Sequence, residues 1–363
     1  MSDARRVVLT GGGTGGHFYP ALAVAEALRC RMPDIDLHYV GTSTGAESRL
    51  APAAGFSYES VPSGQVRGKS PFKVASSLAR IAAGTLSSRG KMGAASAVFA
   101  TGGYASVPVI TGAWLRRVPV VLFLPDVEPG WAVRSTASMA ARIGVSNEAA
   151  VAALPADKTE VTGYPTRARF GELSREEART VMGVPLDGRV LLVSGASTGA
   201  QRINAAVTEV LPELLDLAVV IHSTGPANLD DALAKRDGLP EGQKVRYHVY
   251  GLIEDMPAAM QAADLTIMRS GASVLGELPA AGLPSILIPG TFAGGHQKAN
   301  AEALARAGAA VVLEEKDFGR LLETTRDLLN DQERLDAMGA AAKASAHRDA
   351  ADRLAQLVLE VAR

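Results

Sequence analysis

The sequence predicts an α/β protein of two Rossmann-like domains that face each other across a cleft. Apolar runs of four to six residues alternate with longer segments of helical period along the chain, which is typical of parallel α/β units. A short apolar strand, a glycine loop and an amphipathic helix follow one another near residue 7 and again near residue 190. Ligands of such sheets bind beyond the carboxyl ends of the strands, so the cleft is the predicted binding site.

The apolar runs predict eleven strands in two groups. Those of the first half are predicted at 7–10, 37–40, 97–100, 120–123 and 158–162. Those of the second half are predicted at 190–193, 218–222, 245–250, 265–268, 285–288 and 310–313. A hydrophilic, proline-bearing passage at 163–174 separates the groups, so we expect domains at 1–163 and 164–344. Apolar residues at helical spacing near the carboxyl terminus predict a final amphipathic helix.

Composition excludes several classes of protein. With 363 residues, 47% of them hydrophobic and 21% charged, the chain is neither a disordered nor a small disulfide-stapled protein. The lone Cys30 and six scattered histidines provide no ligand set for a metal, and a reducing cytoplasm fits best. No run of about 18 apolar residues occurs, so we expect no secreted or membrane-spanning protein. Aromatic residues are only 5%, which argues against nucleic acid as a partner.

Charge is unevenly distributed along the chain. Residues 60–125 contain no Asp or Glu but eight basic residues, although the formal net charge is only −1. A solvated basic face is one interpretation of this segment. The other is that the segment meets an anionic surface or substrate.

The first glycine loop, Gly11-x-Gly13-x-x-Gly16, matches the dinucleotide-binding fingerprint. The acidic residue expected at the end of the second strand is missing, however, which disfavours nicotinamide or flavin binding. His17 follows the loop near a helix start, where the dipole disfavours imidazolium. A neutral His17 can act as a base or a hydrogen-bond donor, and a purely structural histidine is the alternative.

The second glycine loop, residues 195–199, matches Gly-x-Ser-x-Gly between a strand and a helix. This is the setting of a hydrolase nucleophile, which would be Ser197. It is also suited to cradling a diphosphate through the Ser197 and Thr198 hydroxyls and the loop amides. A second glycine loop and a second α/β domain favour the cradle, and the serine hydrolase is kept as an alternative.

Polar residues of the second half are suited to a nucleotide sugar. Ser270 and Glu277 are seven residues apart, which predicts that both lie on one face of a helix. The Glu277 carboxylate could accept both hydroxyls of a ribose diol, although a solvated surface glutamate is the usual alternative. His296 and Gln297, after the strand at 285–288, could bind sugar hydroxyls.

Together these motifs resemble the MurG family, within glycosyltransferase family 28, over nearly the whole chain. No single motif is specific, but their joint order is. The matching segments, in order, are 12–23, 102–108, 163–167, 197–200, 253–256, 269–272, Glu277 and 296–297.

The resemblance implies a GT-B fold and an inverting transferase that needs neither metal nor cofactor. Its donor would be UDP-N-acetylglucosamine and its acceptor an undecaprenyl-diphosphate-linked muramyl pentapeptide, the step from lipid I to lipid II in peptidoglycan synthesis. The helix at 345–363 would pack back on the first domain. The enzyme would lie peripherally on the cytoplasmic face of the membrane, with an anionic membrane surface as a partner. Another family 28 transferase with a different acceptor is the main alternative, and a non-catalytic nucleotide-sugar-binding protein ranks lower.

The resemblance also implies roles for individual residues. Glu277 would bind the uridine ribose, Ile253 the uracil and Ser197 the diphosphate. Arg167 would neutralise the leaving group, while Gln297 and His296 would hold the sugar. The other donor-side residues are Thr14, Gly15, Gly16, Thr198, Gly199 and Ser270. Those expected at the acceptor diphosphate are Gly13, Gly103 and Tyr104, with His17 at the attacking hydroxyl.

One segment departs from the family pattern. Where the family reads His-Glu-Gln-Asn, residues 123–130 read Phe-Leu-Pro-Asp-Val-Glu-Pro-Gly, so the way the acceptor is held differs. Asp126 is the first acid after the acid-free segment and follows a predicted strand, at the edge where ligands gather. We therefore expect two candidates for the catalytic base, His17 and Asp126. The donor loop also has Thr198 where Gln is usual.

Overall fold

The chain folds into two α/β units. A computed structural model describes residues 5–12, 15–65, 71–167, 169–195, 200–290 and 295–362. The first unit comprises residues 1–167 and 347–363, and the second comprises 168–346. The first boundary thus lies at 167 rather than at the expected 163, and the second at 346 rather than 344.

A seven-stranded parallel sheet forms the centre of the first unit, in the order β3-β2-β1-β4-β5-β6-β7. Strands β1, β4 and β5 are almost entirely buried because both faces of the sheet are covered. This explains their continuous apolar sequences. The strands are β1 (Arg6–Thr10), β2 (Asp36–Gly41), β3 (Ser57–Ser60), β4 (Ala95–Ala100), β5 (Val120–Leu124), β6 (Arg142–Val145) and β7 (Thr159–Val161).

Helices cover this sheet. The last of them buries Leu354, Leu357 and Val358, which lie on one face, and it packs on the first helix of the same unit. An ion pair between Arg31 and Asp352, 3.2 Å apart, joins the two helices at their exposed rim. The helices are α1 (Gly15–Arg31), α2 (Glu47–Ala53), α3 (Pro71–Lys91), α4 (Ser106–Leu115), α5 (Trp131–Thr136) and α16 (Ala350–Val361).

The second unit has a six-stranded parallel sheet in the order β10-β9-β8-β11-β12-β13. Its strands are β8 (Val190–Ser194), β9 (Val219–Ser223), β10 (Tyr247–Tyr250), β11 (Leu265–Arg269), β12 (Ser285–Ile288) and β13 (Ala310–Val312). Its helices are α6 (Arg175–Met182), α7 (Gln201–Glu209), α8 (Leu211–Leu217), α9 (Leu229–Asp237), α10 (Glu241–Lys244), α11 (Met256–Ala262), α12 (Val274–Ala281), α13 (His296–Arg306), α14 (Leu321–Asn330) and α15 (Gln332–Ala344).

The predicted α/β class and the two Rossmann-like sheets are confirmed. Two strands that the sequence did not predict, β3 and β6, complete the first sheet. Strand β3, with the sequence Ser-Tyr-Glu-Ser, lies at the edge of the sheet and is partly exposed, so it has no apolar run. Strand β6 contains Gly144 and only two apolar residues, which hides it from a search for apolar runs.

The strand order places one crevice in each sheet. The chain winds outwards in one direction from β1 and in the other from β4, and likewise from β8 and β11. Such reversals leave a crevice at the carboxyl ends of the two central strands, where ligands bind. Of the helices in the described ranges, none has the length and apolarity to cross a membrane.

Candidate functional site

In the first unit, His17 is held at the crevice between β1 and β4. It lies in the first turns of α1, and its Nδ1 is 2.8 Å from the carbonyl oxygen of Thr101, the residue after β4. The Thr101 hydroxyl in turn donates to the carbonyl oxygen of His17 at 2.7 Å. Because a carbonyl only accepts hydrogen bonds, Nδ1 carries a proton, and Nε2 is the ring nitrogen that can serve as a base. The arrangement can therefore accept a proton at Nε2.

Gly103, in the glycine-containing segment after β4, lies against this histidine. Its φ of +78° is one that side-chain-bearing residues rarely adopt. A Cβ at this position would lie 2.5 Å from the carbonyl oxygen of Gly12 and 3.2 Å from Cδ2 of His17. The first glycine loop and the segment after β4 thus come together beside the His17 ring only because residue 103 has no side chain.

A buried carboxylate lies behind the first glycine loop. Glu47, at the start of α2, is fully buried and accepts hydrogen bonds from the amide and hydroxyl of Thr42 at 3.1 and 2.8 Å. Burial, and then the charge of Glu47, raise the pKa of Tyr39 well above its usual value. The protonated Tyr39 hydroxyl donates to the carbonyl oxygen of Gly11 at 2.6 Å, which holds the loop from below.

Near the end of β5, an apolar side chain occupies the position where the family pattern has histidine. Phe123 is fully buried, and its ring meets that of Tyr164 edge-on at 5.9 Å. The Tyr164 hydroxyl donates to the carbonyl oxygen of Gly16 at 3.2 Å. Residue 123 therefore supports the start of α1 and presents no polar group. Asp126 lies two residues beyond β5, at the same edge of the sheet, and is half-buried.

Arg167 supplies a fixed positive charge in this unit. Its guanidinium carbon lies 4.7 Å from the centre of the Tyr19 ring, in a cation–π contact. Tyr19 follows His17 by two residues on α1. The cation that was expected to neutralise a leaving group is therefore positioned by the helix that carries His17.

In the second unit, hydrogen bonds join the ends of β11 and β12 to α13. The Ser270 hydroxyl donates to the carbonyl oxygen of Gln297 at 2.8 Å, and the Gln297 side-chain oxygen accepts from the amide of Gly290 at 2.8 Å. The Asn300 side chain donates to the carbonyl oxygen of Ser270 at 3.2 Å. Nδ1 of His296 is buried, and no residue in the described ranges hydrogen-bonds to it, which suits a polar group of a ligand.

The prediction that Ser270 and Glu277 lie on one face of a helix is wrong, because Ser270 is not part of a helix. Helix α12 begins at Val274, so Ser270 precedes it and lies in the buried turn after β11. Glu277 lies in the first turn of α12 and is half-buried. Ile253 is buried between β10 and α11. Glu277 and Ile253 remain candidates for binding the nucleoside of the donor.

Part of the predicted site lies outside the described residues. This applies to Gly13 and Thr14 of the first loop and to Ser197, Thr198 and Gly199 of the second. Gly15 and Gly16 form the first turn of α1. In the described ranges, no group of three or more His, Cys, Asp or Glu side chains could hold a metal ion.

A buried histidine, which the sequence analysis missed, anchors the helix after the second glycine loop. His222, at the end of β9, has Nδ1 2.8 Å from the Tyr247 hydroxyl and Nε2 3.1 Å from the side-chain oxygen of Asn204 on α7. Burial lowers the pKa of His222 to about 4, so the ring is neutral at pH 7. A histidine inside an apolar strand was the available signal.

A buried ion-pair cluster was missed as well. Arg269, at the end of β11, lies 2.5 Å from the buried Glu315, and Arg202 of α7 pairs with the same carboxylate. Glu315 thus ties α7 to the central strand. Its partners are separated from it by 46 and 113 residues, which no local pattern in the sequence could reveal.

An exposed apolar and basic surface lies on α3 and the end of α4. Phe72 is 90% exposed and Leu86 69%. The two helices pack closely: a Cβ at Gly112 of α4 would lie 2.8 Å from the amide nitrogen of Arg89. We call this the α3–α4 surface, and its exposed members are Phe72, Leu78, Leu86, Trp114, Leu115, Arg89, Arg116 and Arg117.

Comparison with known proteins places both units in one class of enzyme. The profile of the glycosyltransferase family 28 N-terminal domain matches residues 7–145, and that of the family's C-terminal domain matches 190–354. Each sheet, with the loops at its carboxyl edge, is therefore one half of a GT-B glycosyltransferase. The chain belongs to glycosyltransferase family 28.

Several relatives share nearly the full length. A Salinibacter ruber protein named UDP-N-acetylglucosamine--N-acetylmuramyl-(pentapeptide) pyrophosphoryl-undecaprenol N-acetylglucosamine transferase is 38% identical, over 99% of this chain and 97% of that protein. A Mycolicibacterium vanbaalenii protein of the same name is 37% identical, over 98% and 90%. The crystal structure of Acinetobacter baumannii MurG is similar with a TM-score of 0.75 and 26% identity, over 98% and 99% of the two chains.

A more distant likeness concerns the fold alone. UDP-GlcNAc 2-epimerase from Neisseria meningitidis, solved with UDP-GlcNAc bound, has a TM-score of 0.68 at 11% identity and covers 98% of this chain.

Family membership makes the chain a glycosyltransferase, so the hydrolase and the non-catalytic alternatives are dropped.

Proposed function

We propose that this enzyme transfers N-acetylglucosamine from UDP to the N-acetylmuramyl pentapeptide carried by undecaprenyl diphosphate. The observation that carries the proposal is the identity of 38% over 99% of the chain to a protein named for that reaction. The order of the glycine loops, His17, Arg167 and Glu277 along the chain, which resembles the family pattern, supports it.

The reaction is a single displacement at the anomeric carbon of the donor sugar. The 4-hydroxyl oxygen of the muramyl sugar forms a bond to C1 as the bond from C1 to the UDP oxygen breaks. Nε2 of His17 takes the hydroxyl proton, because Nδ1 is already protonated and held by Thr101. Asp126, at the neighbouring strand end, is the second candidate for this role. Attack from the opposite face inverts the configuration at C1.

The negative charge that grows on UDP requires positive potential rather than a metal ion. Arg167, fixed over Tyr19, supplies a full charge, and the amides of the second glycine loop supply partial charges. Ser197, Thr198 and Gly199 belong to that loop. We assign the ribose to Glu277, the uracil to Ile253 and the sugar hydroxyls to His296 and Gln297. No cofactor takes part.

The acceptor diphosphate is assigned to the first glycine loop and the segment after β4, with Gly13, Gly103 and Tyr104. The acceptor lipid is embedded in a membrane, so the enzyme must reach the bilayer surface. The α3–α4 surface combines exposed apolar side chains with arginines, which suits an anionic leaflet. We therefore place the enzyme peripherally on the cytoplasmic face.

A second candidate function follows from the segment 123–130. Phe123 is buried where the family pattern has a polar residue, so a family 28 transferase with a different lipid or small-molecule acceptor is the alternative. Calorimetric titration with UDP-N-acetylglucosamine and other UDP-sugars tests the donor, and product analysis with several lipid-linked acceptors tests the acceptor. Tighter binding of another UDP-sugar, or transfer only to another acceptor, contradicts the main proposal.

A further inference from the structure

In the first unit, a polar cavity of about 330 Å³ lies beside the segment that follows β4 and contains Gly103 and Tyr104. Its walls come from α3 and from the segments that follow β2, β3 and β4, so it opens at the carboxyl edge of the sheet. It is next to the candidate acceptor site because Tyr104 belongs to both. The residues that matter here are Thr44, Ser63, Lys73, Ser77, Arg80 and Tyr104.

Hydrogen bonds connect the segments that form the walls of this cavity. The Ser77 hydroxyl on α3 donates to the carbonyl oxygen of Gln65 at 2.8 Å, and the Ser63 hydroxyl donates to that of Tyr104 at 2.7 Å. A Cβ at Gly64 would lie 2.7 Å from the Cβ of Ser77, so this close packing requires glycine. The segment after β3 thus joins α3 to the segment after β4 and fixes the shape of the cavity.

The cavity carries positive charge without compensation. Lys73 and Arg80 are two helical turns apart on α3 and line the same wall. Neither forms an ion pair with any residue in the described ranges, and no carboxylate lines the cavity. The sequence has no Asp or Glu from 60 to 125, which excludes acids from the elements that form most of the walls.

The apolar side chains of α3 point elsewhere. At about 100° per residue, Phe72 lies about 100° from Lys73, and Leu86 lies about 120° from Arg80 around the helix axis. Lys73 and Arg80 line the cavity, while Phe72 and Leu86 lie on a neighbouring side of the helix. Lys73 and Arg80 are themselves exposed, and they line an open polar cavity on a different side of α3 from Phe72 and Leu86.

We propose that the cavity between Lys73, Arg80 and Tyr104 binds an anionic oxygen group of the acceptor, a phosphate or a carboxylate. The hydroxyls of Thr44, Ser63 and Ser77 add hydrogen bonds to that group. A diphosphate and the carboxylate that ends a peptide share this chemistry, and both occur in the acceptor assigned above. The inference rests on the proposed function and adds a subsite to it.

The test measures binding of a soluble acceptor with a short prenyl chain, by calorimetry without vesicles or donor. Lys73→Gln and Arg80→Gln should each raise its Kd about tenfold or more, since each removes a charged contact. Arg142→Gln, which removes an exposed cation of β6 in the same unit, should leave the Kd unchanged. Calorimetric titration with UDP should give the wild-type affinity in all three variants.

Competition by fragments identifies the group that binds. If a phosphate occupies the cavity, a short prenyl diphosphate should compete with the acceptor for binding to the wild type but not to the variants. If a carboxylate occupies it, the free muramyl pentapeptide should show that difference instead. Unchanged acceptor affinity in both variants, or an effect seen only with anionic vesicles, overturns the proposal. A wild-type enzyme that binds the acceptor but transfers no sugar to it would contradict the proposed function and leave the subsite standing.

Discussion

Nδ1 of His17 donates to the carbonyl oxygen of Thr101 across 2.8 Å, and this contact decides which ring nitrogen can act as a base. The two residues are 84 positions apart in the chain and meet because β1 and β4 are neighbours in the sheet. A backbone carbonyl cannot be removed by substitution of its own side chain. A substitution at Thr101 therefore leaves the contact in place. The His17 ring is displaced instead by changes at residues that lie against it, such as Gly103.

Gly103→Ala should lower turnover by displacing the His17 ring. The new Cβ would lie 2.5 Å from the Gly12 carbonyl oxygen, and the strained backbone adds about 1–3 kcal/mol. Gly55→Ala is the matched control, because Gly55 also has a positive φ, +76°, with nothing within 4 Å of the added atom. We expect both variants to lose stability in urea denaturation and only Gly103→Ala to lose kcat. Equal kcat in the two variants would contradict this account.

Glu277→Ala should weaken UDP binding while leaving the fold intact. Loss of the hydrogen bonds that the ribose hydroxyls donate to the carboxylate costs about 1.5–3 kcal/mol, or about 10- to 150-fold in Kd. Calorimetric titration with UDP measures the effect. The control is Glu176→Ala, which removes an exposed carboxylate of α6. An unchanged Kd for UDP in Glu277→Ala would remove the ribose assignment.

The α3–α4 surface should mediate binding to acidic vesicles. Reversing Arg89, Arg116 and Arg117 to Glu should abolish vesicle association, since each basic residue contributes about 1 kcal/mol near an anionic surface. Added salt should weaken the wild-type interaction through screening. The control variant has the exposed residues Arg142, Arg326 and Arg334 changed to Glu, and it should bind vesicles like the wild type. Co-sedimentation measures all of these, and salt-independent binding would favour a merely solvated face.

His222 should make the protein less stable in acid. Its pKa is about 4 in the folded chain against the usual 6.5, so the unfolded chain takes up the proton first as the pH falls. The stabilisation is complete above about pH 6.5 and is lost as the pH falls towards 4, by about 3 kcal/mol. Urea denaturation at several pH values should show a shallower loss for His222→Gln than for the wild type. Parallel curves would contradict the assignment.

The sequence predicts the central strands and the glycine loops well because these are local patterns. Strands β8 and β11 are buried on both faces and so appear as unbroken apolar runs. His17 was found because it follows a glycine loop. Its partner Thr101 could not be found, since the pairing of β1 with β4 is a tertiary event.

Other residues were missed because their signals were misleading. The loop after β2 was noted for lacking an acid at the strand end, yet Glu47, six residues beyond β2, is buried beside the first glycine loop. Ser270 was assigned to a helix because seven residues separate it from Glu277, but the turn after β11 extends to Ser273. Spacing alone does not show where a helix begins.

The central claim is tested most directly by transfer of labelled N-acetylglucosamine from UDP to a short-chain lipid-linked muramyl pentapeptide by the purified enzyme. We expect a β-linked disaccharide product. We also expect that His17→Ala lowers turnover about 10²- to 10⁴-fold at unchanged donor affinity. Asp126→Asn should likewise lower turnover more than donor affinity, and full turnover in this variant alone would leave His17 as the base. Absence of any transfer by the wild-type enzyme to this acceptor would contradict the account.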